Sequence, residues 1–353
     1  MSAIRMTAMQ RVAAALALRE PDRVPCILPV TMHGARELGL SIESYYAKAE
    51  NVVEGQLRMF AKYRHDALPA IFYGALEMEA WGSETIFRDD GPPNSGPPIV
   101  TKIEDIKKLS PPSVEGAPRL QEALKTIGLL KQNVGDIAPI VGMVISPFSV
   151  PVMQLGFGPY FDILHERPDL FDHLMAVNGE FCVAWANAQL AAGASLIVYA
   201  DPVSSPTIIP RETYLRTGFH VARRVIPRIK GGVLTHFASA NCLSILDDVA
   251  QTGTTAVGVS ALEDLAAVKA ACRGKLTVVG NLNAIAMRNW TPSQAVAAVR
   301  TAIAQAGPGG GYMLSDNHGE IPWQVPEEIL LVIADAVRTW GSYPLDWVEE
   351  EQP

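Results

Sequence analysis

Hydrophobic positions along the chain gather into eight short runs, at residues 26–31, 67–72, 139–146, 195–201, 232–236, 254–260, 276–281 and 312–318. Each run closes on a polar or small residue, and most lead through Gly, Pro, Ser or Asn into a helical pattern. Apolar runs of this length between helical stretches predict parallel strands joined by crossover helices. Eight such units predict a (β/α)8 barrel, an α/β fold of the TIM type, with residues 1–353 as one domain. Chemistry in that fold sits where strands end and loops begin. The polar residues there are His33, Tyr73, Ser146, Asp201, His236, Ser260, Asn281, Asp316 and His318.

Between the runs, the periodicity predicts an Ala-rich helix over 6–18, an N-terminal extension stopped by Pro21 and Pro25. A second helix is expected over 44–63. The Pro/Gly-rich stretch at 89–98 can continue neither helix nor strand and predicts a small excursion over one barrel end. Thr291, Pro292 and Gln294 stand in register as cap, first-turn proline and capping-box partner for a helix over 291–306.

Composition narrows the function classes. At 48% hydrophobic and 19% charged, the 353 residues can bury a substantial core. The net charge of −8 and the lack of any basic run of five argue against a nucleic-acid surface. No apolar stretch approaches the ~20 residues needed to span a bilayer, and residues 1–20 lack the apolar core of a secretory signal. Four scattered cysteines without C-x-x-C spacing read as reduced thiols, so a cytoplasmic protein with no membrane partner is expected. The Gly-rich segment 307–311 precedes a strand, so it is no phosphate loop, and no Gly-x-Ser-x-Gly or His-Glu-x-x-His is present.

Several segments, in order, resemble one family. The opening Ala-Leu-Arg-Glu-Pro-Asp-Arg-Val-Pro ends at Pro25, and residues 142–148 end in Ser-Pro-Phe. Gly193-Ala194 precedes a run ending in Asp201, Gly280-Asn281-Leu282-Asn283 forms a turn, and residues 311–319 close on His-Gly. Together these identify the chain as a member of the uroporphyrinogen decarboxylase superfamily, which implies the same barrel fold. That superfamily holds two chemistries, uroporphyrinogen decarboxylation and methyl transfer between corrinoid carriers and thiols. Residues 72–82, with Glu77, Glu79 and Gly82, look more like the methyltransferase branch. Where the decarboxylase branch has an Arg-rich segment, this chain keeps only Arg36, and eight substrate carboxylates would need more cation.

The methyltransferase branch holds zinc through His-x-Cys after the fifth strand and Cys after the eighth. Here the first reads His236-Phe237-Ala238 and the second position is His318, so both thiolates are missing. His236 and His318 remain as metal ligands by resemblance, with Cys242, Asp316, Glu320 and Glu79 as open choices for the third ligand that catalytic zinc takes. Without thiolates, a thiol acceptor loses support, and acid–base or hydrogen-bonding groups gain it. The resemblance therefore implies a methyltransferase linking a small methylated compound or acceptor to cobalamin or another corrinoid carried by a partner protein. Its catalytic residues would be His236 and His318, oriented by Asp201 and Asp316, with His33, Arg36, Tyr73, Glu79, Ser146, Asn281 and Asn317 contacting substrate. A homodimer fits the same picture. The alternatives are a decarboxylase or lyase on another carboxylated substrate, anchored by Arg36, and a non-catalytic corrinoid or tetrapyrrole binder.

Overall fold

Pro25 and Pro29 decide how the barrel closes. The computed structural model describes residues 5–70 and 73–350. Seven parallel strands stand in sequential order: β1 (Leu68–Pro69), β2 (Ile140–Ile145), β3 (Leu196–Ala200), β4 (Gly232–His236), β5 (Ala256–Gly258), β6 (Thr277–Leu282) and β7 (Tyr312–Asp316). The run at 26–31, predicted as a strand, forms no regular one, because Pro29 within it and Pro25 just before it have no N–H to give a ladder. It nevertheless bonds both edges of the sheet. Ile27 N–H donates to the Leu314 carbonyl at 2.8 Å, Leu314 N–H to the Pro25 carbonyl at 2.9 Å, and Asp66 N–H to the Cys26 carbonyl at 2.7 Å. This irregular eighth stave turns the curled sheet into the expected barrel. Of the run at 67–72, only Leu68–Pro69 is regular strand, and residues 71–72 lie outside those described.

The first helix, Ala8–Leu16, starts with a capping box between Thr7 and Gln10. It plugs the N-terminal end of the barrel: Val12 and Ala15 pack against Leu196, Leu234, Ala256, Val279 and Met313, near the beginnings of their strands. Arg11 on this helix is buried and makes a two-pronged ion pair with Asp22, Nε to Oδ1 at 2.6 Å and Nη2 to Oδ2 at 2.7 Å. Its Nη1 donates to Asp66 Oδ1 at 2.7 Å. Asp66 also accepts from both terminal nitrogens of Arg23, at 2.7 and 2.9 Å, and from Cys26 N–H at 2.8 Å. One carboxylate thus ties the plug helix, the irregular stave and the first regular strand together.

Elsewhere the helices follow prediction with breaks. The helix expected over 44–63 is two, Ile42–Tyr46 and Ala49–Tyr63, with extended Lys48 between them. Thr291 and Gln294 make the anticipated capping box of Pro292–Ala306. The excursion near 89–98 is a short antiparallel pair, Thr85–Ile86 with Asn94–Ser95. Among the described residues no helix is long and apolar enough to cross a membrane.

Removing the shared carboxylate takes one of two carboxylates from buried Arg11 and, among the described residues, the only one from half-buried Arg23, the costly way to break such a network. Asp66→Asn is expected to lose about 3–5 kcal/mol of stability by this mechanism. Urea denaturation checks it, and an unchanged midpoint would mean that Asp66 does not hold the closure.

Candidate active site

Side chains alternate across each strand, so every second one points into the barrel. Val141 and Met143 on β2, Val198 and Ala200 on β3, Leu234 and His236 on β4, and Met313 and Ser315 on β7 all face one axial cavity of about 220 Å³. Its floor is Val12 and Leu16 of the plug helix, and its upper end is bounded by Thr31, Tyr73, His236, His318 and Glu320. Among the described residues no lysine or arginine lines it.

His236, the last residue of β4, is buried between two glycines. A Cβ on Gly258 of the paired strand would come within 2.7 Å of Nε2, and one on Gly319 within 3.4 Å of Cε1. Ala238 N–H donates to His236 Nδ1 at 2.9 Å, so the neutral ring carries its proton on Nε2. Burial, and secondarily the charge of His318, pushes the His236 pKa down to about 4. The turn that makes this bond is strained, with φ of 42° at Ala238 and 48° at Ser239, conformations that non-glycine residues seldom adopt.

Beyond that turn the strand-end loops are stitched to each other. Ser239 N–H donates to the Asn317 carbonyl at 2.8 Å, Asn317 Nδ2 to Ser239 Oγ at 3.1 Å, and the same hydroxyl lies 3.2 Å from His318 Nδ1. Ser260 Oγ donates to the Ser239 carbonyl at 2.8 Å, and Asn281 Nδ2 to the Ser260 carbonyl at 2.9 Å. Asn281 and Asn317 therefore hold loops in place, and neither lines the cavity. Asp316 accepts the backbone N–H groups of His318 and Gly319 at 2.8 and 3.0 Å. It shapes the loop carrying His318 rather than touching either imidazole, and burial raises its pKa.

Other expected site residues are placed elsewhere. Asp201, expected to orient an imidazole, instead accepts the hydroxyls of Ser146, at 2.5 Å, and Ser149, at 2.8 Å, in a buried cluster. Burial raises its pKa. Arg36 is exposed, stacks 4.2 Å above the Trp323 ring and donates to the Trp323 carbonyl at 2.6 Å, so it does not line the cavity. His33 is buried beside the same ring, its pKa pushed down to about 4 mainly by burial. Tyr73 lines the cavity but donates its hydroxyl to Glu79, which also accepts from Thr85 and pairs with Arg119 at 3.5 Å.

Glu320, expected only as a choice of metal ligand, is the one carboxylate among the described residues that lines the cavity. Burial, and then the charge of Asp316, raises its pKa to about 7, while the hydroxyl of Thr31 donates to it. A carboxyl group poised there can give or take a proton near neutrality. Its signal in the sequence was its place two residues after His318 in a dense polar segment.

The residues do not suit the zinc that the resemblance implied. A histidine ligand normally binds metal with one ring nitrogen and donates a proton from the other. At His236 Nδ1 already accepts an amide, so binding through Nε2 would require an imidazolate. The third-ligand choices are engaged: Cys242 Sγ donates to Glu263 at 3.6 Å, Asp316 holds amides, Glu79 its rim partners and Glu320 Thr31. Among the described residues no group of three His, Cys, Asp or Glu could hold a metal ion.

Comparison with known proteins places this site in a family. The family model described as "Uroporphyrinogen decarboxylase (URO-D)" matches residues 7–340. The chain belongs to the uroporphyrinogen decarboxylase family. It is 25% identical over 305 residues to the uroporphyrinogen decarboxylase of Methylococcus capsulatus, covering 83% of this chain and 85% of that one. It is likewise 25% identical over 286 residues to the methylcobamide:CoM methyltransferase MtaA of Methanosarcina barkeri, covering 78% and 83%. A solved structure described as a methyltransferase from Methanosarcina mazei superposes with a TM-score of 0.80 at 20% identity, covering 95% of this chain and 99% of that one. The last likeness fixes the fold. Both chemistries of the family stand among its relatives at equal distance.

The His236 geometry sets a spectroscopic expectation. Nitrogen-15 shifts of the ring should show the Nε2–H tautomer, neutral down to pH about 4 because burial disfavours the cation. A proton on Nδ1, or titration near pH ~6.5, the ordinary histidine value, would contradict the arrangement.

Proposed function

We propose that this protein is a methyltransferase that moves a methyl group between a small methylated compound and a corrinoid carried by a partner protein. The observation that carries the reading is the cavity itself: apolar along its length, without a lysine or arginine, and bearing at its mouth a carboxyl group with a pKa near 7. A polycarboxylate would enter that cavity without a cation to receive it. A small methyl compound without a carboxylate would not need one.

When bound, the corrinoid supplies the cobalt that receives the methyl group. The chain's own task is the leaving group. As the bond from heteroatom to methyl breaks, its electron pair stays on the heteroatom, and protonated Glu320 donates the proton that neutralises it. Solvent at the mouth reprotonates the carboxylate. His236, held neutral with Nε2–H outward from the Ala238 bond, offers a fixed hydrogen-bond donor. Apolar surroundings favour the protonated acid until it acts.

The rim suits a carrier protein. Phe157, Ile208, Leu243, Leu262 and Ile285 are exposed apolar residues in the loops and short helices that follow β2, β3, β4, β5 and β6, on the side of the barrel where those strands end. Burying such side chains is what a docking protein supplies.

The test is consumption of reduced cobalamin with methanol, methylamine and methoxybenzene as donors, beside an assay for carboxylate loss from uroporphyrinogen. Methyl transfer is expected. Glu320→Gln should slow it by ~10²-fold, within the range for one general acid. The wild-type rate should fall as pH rises through about 7, since the acid is active only while protonated. Carboxylate loss without methyl transfer would overturn the reading. Leu262→Asp should weaken a corrinoid carrier protein by about tenfold while leaving the rate with free cobalamin unchanged.

A further inference from the structure

A TIM barrel ordinarily fills its axis with three layers of interlocked side chains, leaving a core rather than a pore. Here the axis is open. Leu196 begins β3 at the floor, Val198 and its register partner Leu234 follow near mid-depth, and Ala200 and its partner His236 stand at the mouth, all lining the one cavity. From the floor layer to the mouth layer is four residues of strand, which at ~3.3 Å per residue and the usual tilt gives a shaft about 11 Å deep. Its wall is apolar except in the top layer, where Ser315 and Thr31 join His236 and Glu320.

We infer that the ligand of this protein is an amphipathic molecule without a negative charge, whose apolar body, about one substituted benzene ring in size, lies inside the barrel. Volume sets the size. An apolar cavity of about 150 Å³ accepts benzene, so 220 Å³ accommodates a ring carrying one or two heavy-atom substituents. Chemistry sets the polarity. A carboxylate at the floor would meet Val12, Leu16 and Leu196, and one at the mouth would meet Glu320, with no lysine or arginine in the lining among the described residues. Met143 and Met313 favour an aromatic body, since thioether sulfur makes attractive contacts with ring edges. The heteroatom of such a ligand belongs at the polar top layer. That this heteroatom carries the transferred methyl group rests on the methyltransferase reading; occupancy of the shaft does not.

Methoxybenzene titrated into the folded protein by calorimetry tests the inference without any turnover. One saturable site is expected, with a negative heat-capacity change from buried apolar area. 4-Methoxybenzoate should bind at least tenfold more weakly, because its carboxylate finds no cation at either end. Val198→Phe and Leu234→Phe each push a ring into mid-shaft and should weaken methoxybenzene by tenfold or more. Circular dichroism shows which variants fold, and Met143→Phe is a third filling variant should either of those fail. Absence of saturable binding to wild type, tighter binding of the carboxylate, or unchanged binding in every folded filling variant would overturn the inference. Saturable binding together with uroporphyrinogen decarboxylation and no methyl transfer would overturn the methyltransferase reading and leave the shaft ligand standing. Methyl transfer from methanol or methylamine with no methoxybenzene binding would do the reverse.

Discussion

The Asp66 carboxylate is the constraint on which the rest of the structure depends. It stands just before the first regular strand and binds Arg11, Arg23 and the Cys26 amide together. A stave interrupted by Pro25 and Pro29 cannot be zipped to its neighbours by a full ladder, so side-chain electrostatics supply what the backbone cannot. Because the same group also grips Arg11, closing the barrel and seating its plug are one event. Without the plug the shaft would have no floor, since Val12 and Leu16 are that floor.

The mouth is governed by burial rather than by charge. An apolar interior disfavours every ion within it, which keeps His236 neutral and lifts Glu320 toward neutrality. The same dry environment gives a donor and a proton source without metal ligands of the expected kind. Where the methyltransferase branch has a cysteine, Ala238 occupies a strained turn whose amide fixes the ring of His236.

Much of the fold was legible because alternating apolar runs and helix caps are local signals. The Thr291 capping box and the N-terminal helix appear where their residues place them. The run at 26–31 reads as an ordinary strand but is irregular, with Pro29 inside it and Pro25 just before it, because a missing donor matters only once neighbours are known. At the site, strand-end logic brought His236, His318 and Tyr73 to the cavity lining, but Asp201, Arg36 and Asn281 to other duties. Strand-end position does not say whether a side chain points inward, and Trp323, which takes up Arg36, lies 287 residues away in sequence.

The sequence by itself determined the barrel, the family and the polar residues available at strand ends, because periodicity and local caps need no distant partner. Tertiary structure alone decided which of them share a cavity. It turned Asp201 toward Ser146 and Ser149, set Glu320 beside Thr31, and left the axis open above Val12 and Leu16. Those outcomes depend on contacts between segments far apart in the chain, and the pKa values that give the site its chemistry arise from burial, which exists only after folding.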